Sequence, residues 1–367
     1  MEPNALDAAA RLCGGIPDGS SGHSAEGAEV SADLSRLADL LDAFSRQTVM
    51  VVGDLVADEF VFGEISRVSR EAPVLILRHR ETQRVPGGGA NAANNLADLG
   101  ARVLPVGVVG DDAAGAGLLD YFREKGVDAS GIVRVPGWNT TTKTRYLAGF
   151  THTSRQQVLR VDREPSPGGL PAKVRATLLK KARERLRRAN AVLVSDYGLG
   201  VVSPALVRAL RGKPLTLDSR FALLDYRTAG AAAASPNEPE LEALYHTRIG
   251  TDTERLEELG RRTLRAMRLQ ALLVTRGKDG MVLFERGHKP LYIPIYGTDQ
   301  ALDVTGAGDT VIAAFTLAVA AGATFAEAAH LANYAGGIVV MKRGTATVTR
   351  DELRAAIHSD LTSSPAK

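Results

Sequence analysis

The chain has 367 residues, 24% of them charged and 44% hydrophobic, with a formal net charge of +3. That is enough apolar material for a large core, and too mild a charge to argue for a nucleic-acid partner. Cys13 is the only cysteine, which excludes an intrachain disulfide or a thiolate metal cluster and points to a reducing, cytoplasmic setting.

Residues 1–32 are rich in Gly, Ser, Ala and acids, with no apolar run that would make a secretion signal or a membrane span; they are expected to form a disordered extension. Ser31 and Asp33 can cap a short helix over Leu34 to Phe44, after which the folded unit is expected over residues 33–357, with a short tail at 358–367. Short aliphatic runs then recur at Val49 to Val52, Val103 to Val109, Ala191 to Ser195, Pro214 to Leu217 and Leu272 to Thr275, separated by helical patterns. Such alternation predicts a mainly parallel sheet covered by helices on both faces, an α/β/α sandwich. Two stretches, about 60–85 and 132–162, alternate in strand fashion without a helix between and predict a second, smaller sheet. Lys173 to Arg188 is strongly basic, with Val174, Leu178, Leu179 and Leu186 on one helical face. A solvated amphipathic helix accounts for it better than a nucleic-acid or membrane surface does.

Several segments carry chemistry. Val52-Gly53-Asp54 closes the first strand, where open α/β sheets place ligands, so Asp54 is a substrate candidate and Asp58 a weaker one. Pro86-Gly87-Gly88-Gly89-Ala90-Asn91 runs into a helix on which Asn91 and Asn95 share a face. Asn237-Glu238-Pro239-Glu240 follows a strand end and can form a capping box, offer oxygen ligands to magnesium, or both. Asp303-Val304-Thr305-Gly306-Ala307-Gly308-Asp309-Thr310 precedes an apolar helix. Its glycines permit a tight turn, and the helix N-terminus favours an anion such as a phosphoryl group. Asp309, in the first helical turn, is placed to take the proton of an attacking hydroxyl. A glycine turn with Asp309 merely favouring the helix dipole is the alternative. The chain lacks the Gly-x-x-x-x-Gly-Lys-Ser/Thr loop, so phosphates would be held without its lysine.

Asp303 to Thr310 resembles the C-terminal signature of the ribokinase-like (PfkB) carbohydrate kinases, and Pro86 to Gly100 resembles their N-terminal one. The resemblance implies a ribokinase-like α/β/α fold with a β-sheet lid, the strands at 60–85 and 132–162. It makes Asp309 the catalytic base and the amides of Gly306, Ala307 and Gly308 an anion hole. Asp54, Gly88, Gly89, Asn91 and Asn95 would hold the sugar. Asn237 and Glu240 would hold magnesium, through water, while Asn237, Thr275, Gly277, Gly280 and Asn333 would line the ATP site. Arg276 and Lys278 beside them are expected to be solvated. Further segments, among them Ser66 to Val74, Thr142 to Arg145, Gln156 to Asp162 and Ser195-Asp196-Tyr197-Gly198, resemble the heptose 7-phosphate kinases of lipopolysaccharide precursor synthesis, from about residue 34 to 357. That likeness implies ATP-dependent phosphorylation of the anomeric hydroxyl of D-glycero-β-D-manno-heptose 7-phosphate. A basic lid of Arg67, Arg70, Lys143, Arg145 and Arg160 would meet the sugar phosphate.

Leu199 stands where these kinases usually carry Lys, and Ser219 where they carry Pro before a basic residue, here Arg220 after Asp218. Both departures bear on the sugar rather than on the kinase chemistry. The resemblance further implies a homodimer built through the lid and an adenylyltransferase on a separate polypeptide, with no nucleic-acid or membrane partner. A kinase for another sugar, or a silent sugar-binding protein on the same fold, are the rival expectations.

Overall fold

The computed structural model describes residues 33–149, 155–165, 169–298 and 300–363; the expected extension, 1–32, lies outside the described residues. Helix α1 (Leu34–Phe44) starts at Asp33, whose carboxylate accepts the N–H groups of Ser35 and Arg36, and it buries Leu37, Leu40, Leu41 and Phe44 as one stripe. Strand β1 (Thr48–Gly53) follows, and only Asp54 separates it from the hairpin of β2 (Leu55–Val68) and β3 (Leu75–Gly88). Next come α2 (Gly89–Asp98), β4 (Arg102–Val106), β5 (Val108–Gly110), α3 (Ala113–Glu124), β6 (Val133–Val135), β7 (Thr141–Gly149) and β8 (Gln156–Arg163). The chain continues through α4 (Ala172–Leu186), β9 (Ala191–Asp196), α5 (Pro204–Arg208), β10 (Leu215–Ser219), β11 (Ala233–Ala234), α6 (Glu238–Tyr245) and α7 (Thr253–Ala266). It ends with β12 (Ala271–Thr275), β13 (Met281–Glu285), β14 (Leu291–Ile293), α8 (Ala307–Ala320), α9 (Phe325–Val339) and α10 (Arg350–Ser363).

The large sheet has the order β14-β13-β12-β11-β10-β9-β1-β4. It is parallel except where β13 pairs antiparallel with β12 and β14. Alternate residues of β1 feed two cores, Val49 and Val51 packing with α1, α2, α8 and α9, and Met50 and Val52 packing with α4, α5 and α7. This is the two-faced burial that near-continuous aliphatic strands require. The small sheet has the order β3-β2-β7-β8, with β2 and β7 parallel and the outer pairs antiparallel.

Val103 to Val109, which reads as one strand in the sequence, is divided at Gly107. A Cβ there would lie 2.6 Å from Leu55 Cγ and 2.8 Å from Gly53 O, so the chain can cross above β1 only as glycine. Strand β5 beyond it pairs with β6 in a sheet of its own, so Val133–Val135 stands apart from the small sheet. Among the described residues no helix is long and apolar enough to cross a membrane.

Candidate active site

Gly306 is the N-cap residue of helix α8 and has a φ of 78°. A Cβ at this position would come 2.5 Å from Asn91 Nδ2, so both conformation and space demand glycine. The close approach lets Asn91 Nδ2 donate to Asp309 Oδ2 at 3.0 Å. From the other side the Tyr197 hydroxyl donates to Asp309 Oδ1 at 2.8 Å. Asn95 donates to Asn91 Oδ1 at 3.1 Å and accepts from the Thr310 hydroxyl at 3.0 Å. The two asparagines thus join α2 to α8 and hold Asp309; their polar groups are spent on that junction. Burial pushes the Asp309 carboxyl up to about 7, against the opposing donors Asn91 and Tyr197 and the charge of Lys143, while Asp58 adds to the rise.

The two aspartates after β1 have separate surroundings. Asp54 accepts the backbone N–H groups of Tyr197, Leu199 and Val201 at 2.8, 3.1 and 3.2 Å, so both its oxygens are engaged by the loop after β9. Burial still raises it to about 6. Asp58 instead accepts from Arg145 Nη1 at 2.7 Å and from the Thr345 hydroxyl at 2.8 Å. Gly88 and Gly89 pack on the backbone of Asp54, whose carbonyl accepts the Gly89 N–H at 3.0 Å. The Lys143 ammonium lies 5.0 Å from the centre of the Tyr197 ring, and the Arg145 guanidinium 5.3 Å from that of Phe60. Arg160 stands opposite Arg145 on β8, close enough for its charge to act on Lys143, and it pairs with Asp162. Arg67 and Arg70 do not gather there: they are exposed, roughly 20–30 Å further along the hairpin at about 3.3 Å per residue.

Two cavities open beside Asp309. A polar one of about 210 Å³ is lined by Asp196, Tyr197, Asp218, Arg220, Asn237, Glu240 and Asp309. An apolar one of about 180 Å³ is lined by Gly277, Gly280, Met281, Ile295, Val311, Asn333 and Val340, among others. They share Thr275 and Gly308. A Cβ on Gly308 would meet nothing within 4 Å, which leaves its backbone bare to a ligand. The Ala307 N–H, by contrast, already donates to Val304 O at 3.2 Å.

Asn237 and Glu240 form the capping box of α6, with bonds of 2.8 and 3.0 Å, and both also face the polar cavity. Burial raises Glu240, and it raises Asp218 far more, with help from Asp309, Glu240 and Asp196. Asn333 donates to Pro294 O at 2.8 Å, fixing the wall of the apolar cavity. Arg276 is not solvated: it pairs with Glu238 at 2.9 Å, and both side chains are largely buried. Ser219 donates to Asp196 Oδ2 at 2.9 Å, a bond that proline could not make. Sequence reasoning assigned no role to Tyr197, although Ser195-Asp196-Tyr197-Gly198 ends a strand at the edge where ligands bind.

The sequence matches the model of the pfkB family carbohydrate kinases over residues 46–156 and 209–352. The chain belongs to this family. It is a carbohydrate kinase, a phosphotransferase acting on a sugar hydroxyl. The kinase is 42% identical over 336 residues to the bifunctional protein HldE of Caulobacter vibrioides, an alignment that covers 88% of this chain and 66% of the relative. It is 39% identical to that of Paramagnetospirillum magneticum, over 91% of this chain and 68% of the other. The kinase thus spans about two thirds of the length of these relatives. Its fold matches Arabidopsis thaliana ribokinase complexed with ribose and ATP, with a TM-score of 0.67 at 22% identity over 85% of this chain and 98% of that one. It also matches phosphofructokinase-2 of Escherichia coli in complex with substrates and products, with a TM-score of 0.68 at 18% identity over the same shares.

Proposed function

We propose that the kinase transfers the γ-phosphoryl group of ATP to the anomeric hydroxyl of D-glycero-β-D-manno-heptose 7-phosphate, giving the 1,7-bisphosphate. The observation that carries phosphoryl transfer is the placement of Asp309. It is a buried carboxylate aimed by Asn91 and Tyr197, facing the polar cavity one residue from the glycine that both cavities share. The heptose is supported by 42% identity to an HldE protein over most of the chain and by the heptose-kinase segments of the sequence.

ATP fits with its base in the apolar cavity against Gly277, Gly280 and Asn333, and with its phosphates running past Thr275 and Gly308 to the start of α8. The bare backbone of Gly308 is the best-placed member of the anion hole, with Gly306 as its hinge; Ala307 would have to release Val304 to join it. Magnesium suits Asn237 and Glu240, which face the polar cavity with oxygen atoms, and a cation would relieve the cost of ionising the half-buried Glu240. Among the described residues no group of three His, Cys, Asp or Glu side chains is placed to chelate an ion, so these two would hold it through water while it neutralises phosphate charge.

We assign the sugar hydroxyls to Asp58 rather than Asp54, because the oxygens of Asp54 are taken by three backbone donors, whereas those of Asp58 meet the side chains of Arg145 and Thr345, which can turn aside for a sugar. Lys143 and Arg145 are the lid cations nearest the reaction, and lid closure would exclude water as a competing acceptor. As the sugar oxygen bonds to phosphorus and ADP departs, Asp309 takes the hydroxyl proton. The small sheet, whose edge strand β8 exposes Val158, Leu159 and Val161, is proposed to form a homodimer, and the protein to act in the cytoplasm.

The deciding experiment is ATP consumption with magnesium over a panel of D-glycero-D-manno-heptose 7-phosphate, sedoheptulose 7-phosphate, fructose 6-phosphate, fructose 1-phosphate, ribose and adenosine, with the product read by phosphorus NMR. Turnover confined to the heptose, with a new anomeric phosphate, is the expected result. Preference for another sugar would move the specificity while keeping the chemistry.

A further inference from the structure

Tyr197 joins parts of the molecule that are far apart in sequence. Its hydroxyl donates to Asp309 on α8 at 2.8 Å. Its ring rests against Gly88 at the end of β3, where an added Cβ would come within 3.3 Å of Cε2. The ammonium of Lys143, on β7 of the small sheet, lies 5.0 Å from the ring centre, within reach of a cation–π contact. Its backbone N–H is held by Asp54 at 2.8 Å. A phenol fixed at backbone, ring and hydroxyl has little freedom to swing away from the carboxylate.

We propose that Tyr197 is a positioning residue for phosphoryl transfer: its hydroxyl aims Asp309 and its ring seats Lys143, so that the small sheet and the base are set as one unit. The proposal rests on Asp309 acting as the base. Burial keeps the phenol protonated, well above its ordinary range, so it remains a donor at working pH. Donation to a carboxylate favours the ionised form, and so does the Lys143 charge. The groups that face this pair are Asp58 from β2 and Asp218 from β10, both opposing ionisation of their neighbours, and Lys143 from β7, itself flanked by Arg160, Asp162 and Arg220; Asp196 from β9, Glu240 from α6 and Arg220 line the same cavity. Without the phenol, Asp309 keeps among the described residues only the Asn91 bond, and its titration moves up.

The test needs no sugar for its first arm. In protein carrying 13C-labelled aspartate carboxyls, the Asp309 signal is identified by its absence in Asp309→Asn and followed with pH. Tyr197→Phe, which keeps the ring, should raise its midpoint by about half a unit or more, and Lys143→Met should raise it as well. The second arm measures turnover with magnesium and ATP on whichever sugar the panel accepts. The acid limb of kcat should move up with the NMR midpoint, the KM for ATP should change less than about twofold, and activity should largely recover at alkaline pH. An Asp309 midpoint unmoved in Tyr197→Phe, or a kcat lowered by one factor at every pH, would overturn the proposal. Should Tyr197→Phe fail to fold, an unmoved midpoint in Lys143→Met would overturn it. If no sugar on the panel turns over, the heptose assignment fails and the NMR arm still decides Tyr197.

Discussion

In the large sheet β1 is buried from Val49 to Gly53 and β9 along its whole length, whereas in the small sheet β8 is exposed at every residue. The difference follows from cover: helices close both faces of the first, while the second has only its root against the core. Strand β2 shows the gradient within one element, buried at Leu55 to Asp58 and exposed from Ser66 to Val68. Asp309 and the asparagines belong to the covered region, with the half-buried Tyr197 at its edge. Lys143 and Arg145 belong to the root of the other. The proposed roles follow this division: the base would have to stay aimed and the cover to open, and low local burial is what lets a segment open cheaply.

The strongest way to break this comparison is at the rigid side. Asp309→Asn should lower kcat by about 10²–10⁴-fold while ATP affinity, measured by calorimetry, stays nearly unchanged; retention of most of the rate would remove Asp309 as the base. At the root of the small sheet, Arg145→Met takes from the buried Asp58 carboxylate its hydrogen-bonded cation, leaving only the charge of Lys143 opposite it. The Asp58–Arg145 pair has side-chain exposures of 6% and 11%, so about 3–5 kcal/mol of stability should be lost in chemical denaturation. Arg80→Met, which breaks the more exposed pair with Glu64 further along the hairpin, should cost under about 1 kcal/mol. Equal losses at the two sites would contradict the gradient.

The pH dependence sharpens the same contrast. With Asp309 raised to about 7, kcat should fall as pH drops below about 7, because the protonated carboxyl cannot accept the hydroxyl proton. For stability the sign is opposite. Asp309 and Asp54, raised to about 7 and about 6, bind protons in the folded state that the unfolded chain has already lost. Their contribution therefore declines as pH rises from about 4 to 7. Urea titrations at about pH 5 and 8 should show this decline, with a shallower one in Asp309→Asn. The smallest effect is expected at Val158→Lys on the exposed β8, within about 0.5 kcal/mol for the monomer. Sedimentation would then report any weakening of the proposed dimer.

Much of the fold was legible because its rules are local. Aliphatic runs of strand length between helical stripes can only be buried on two faces, and the glycine turn before α8 carries its own signature. Gly107 was not legible: nothing in Val103 to Val109 says that Leu55 and Gly53 crowd its midpoint. Asp54 and Asp58 illustrate the limit at the site, since both are aspartates beside a strand end and only their partners separate them. Arg67 and Arg70 looked like members of one basic lid with Lys143, yet a long hairpin carries them away from it.

By itself the sequence determined the α/β alternation, the separate small sheet, and a carboxylate following a glycine turn at a helix start, because periodicity and backbone conformation are set by neighbours in the chain. Only the tertiary structure decided that Asn91 and Tyr197 aim that carboxylate, that Asp54 serves the loop after β9 while Asp58 meets Arg145, and that two cavities join at Thr275 and Gly308. Those are contacts between residues up to 218 positions apart, as in Asn91 with Asp309, and burial and hydrogen bonding across such distances have no signature in a local stretch of chain.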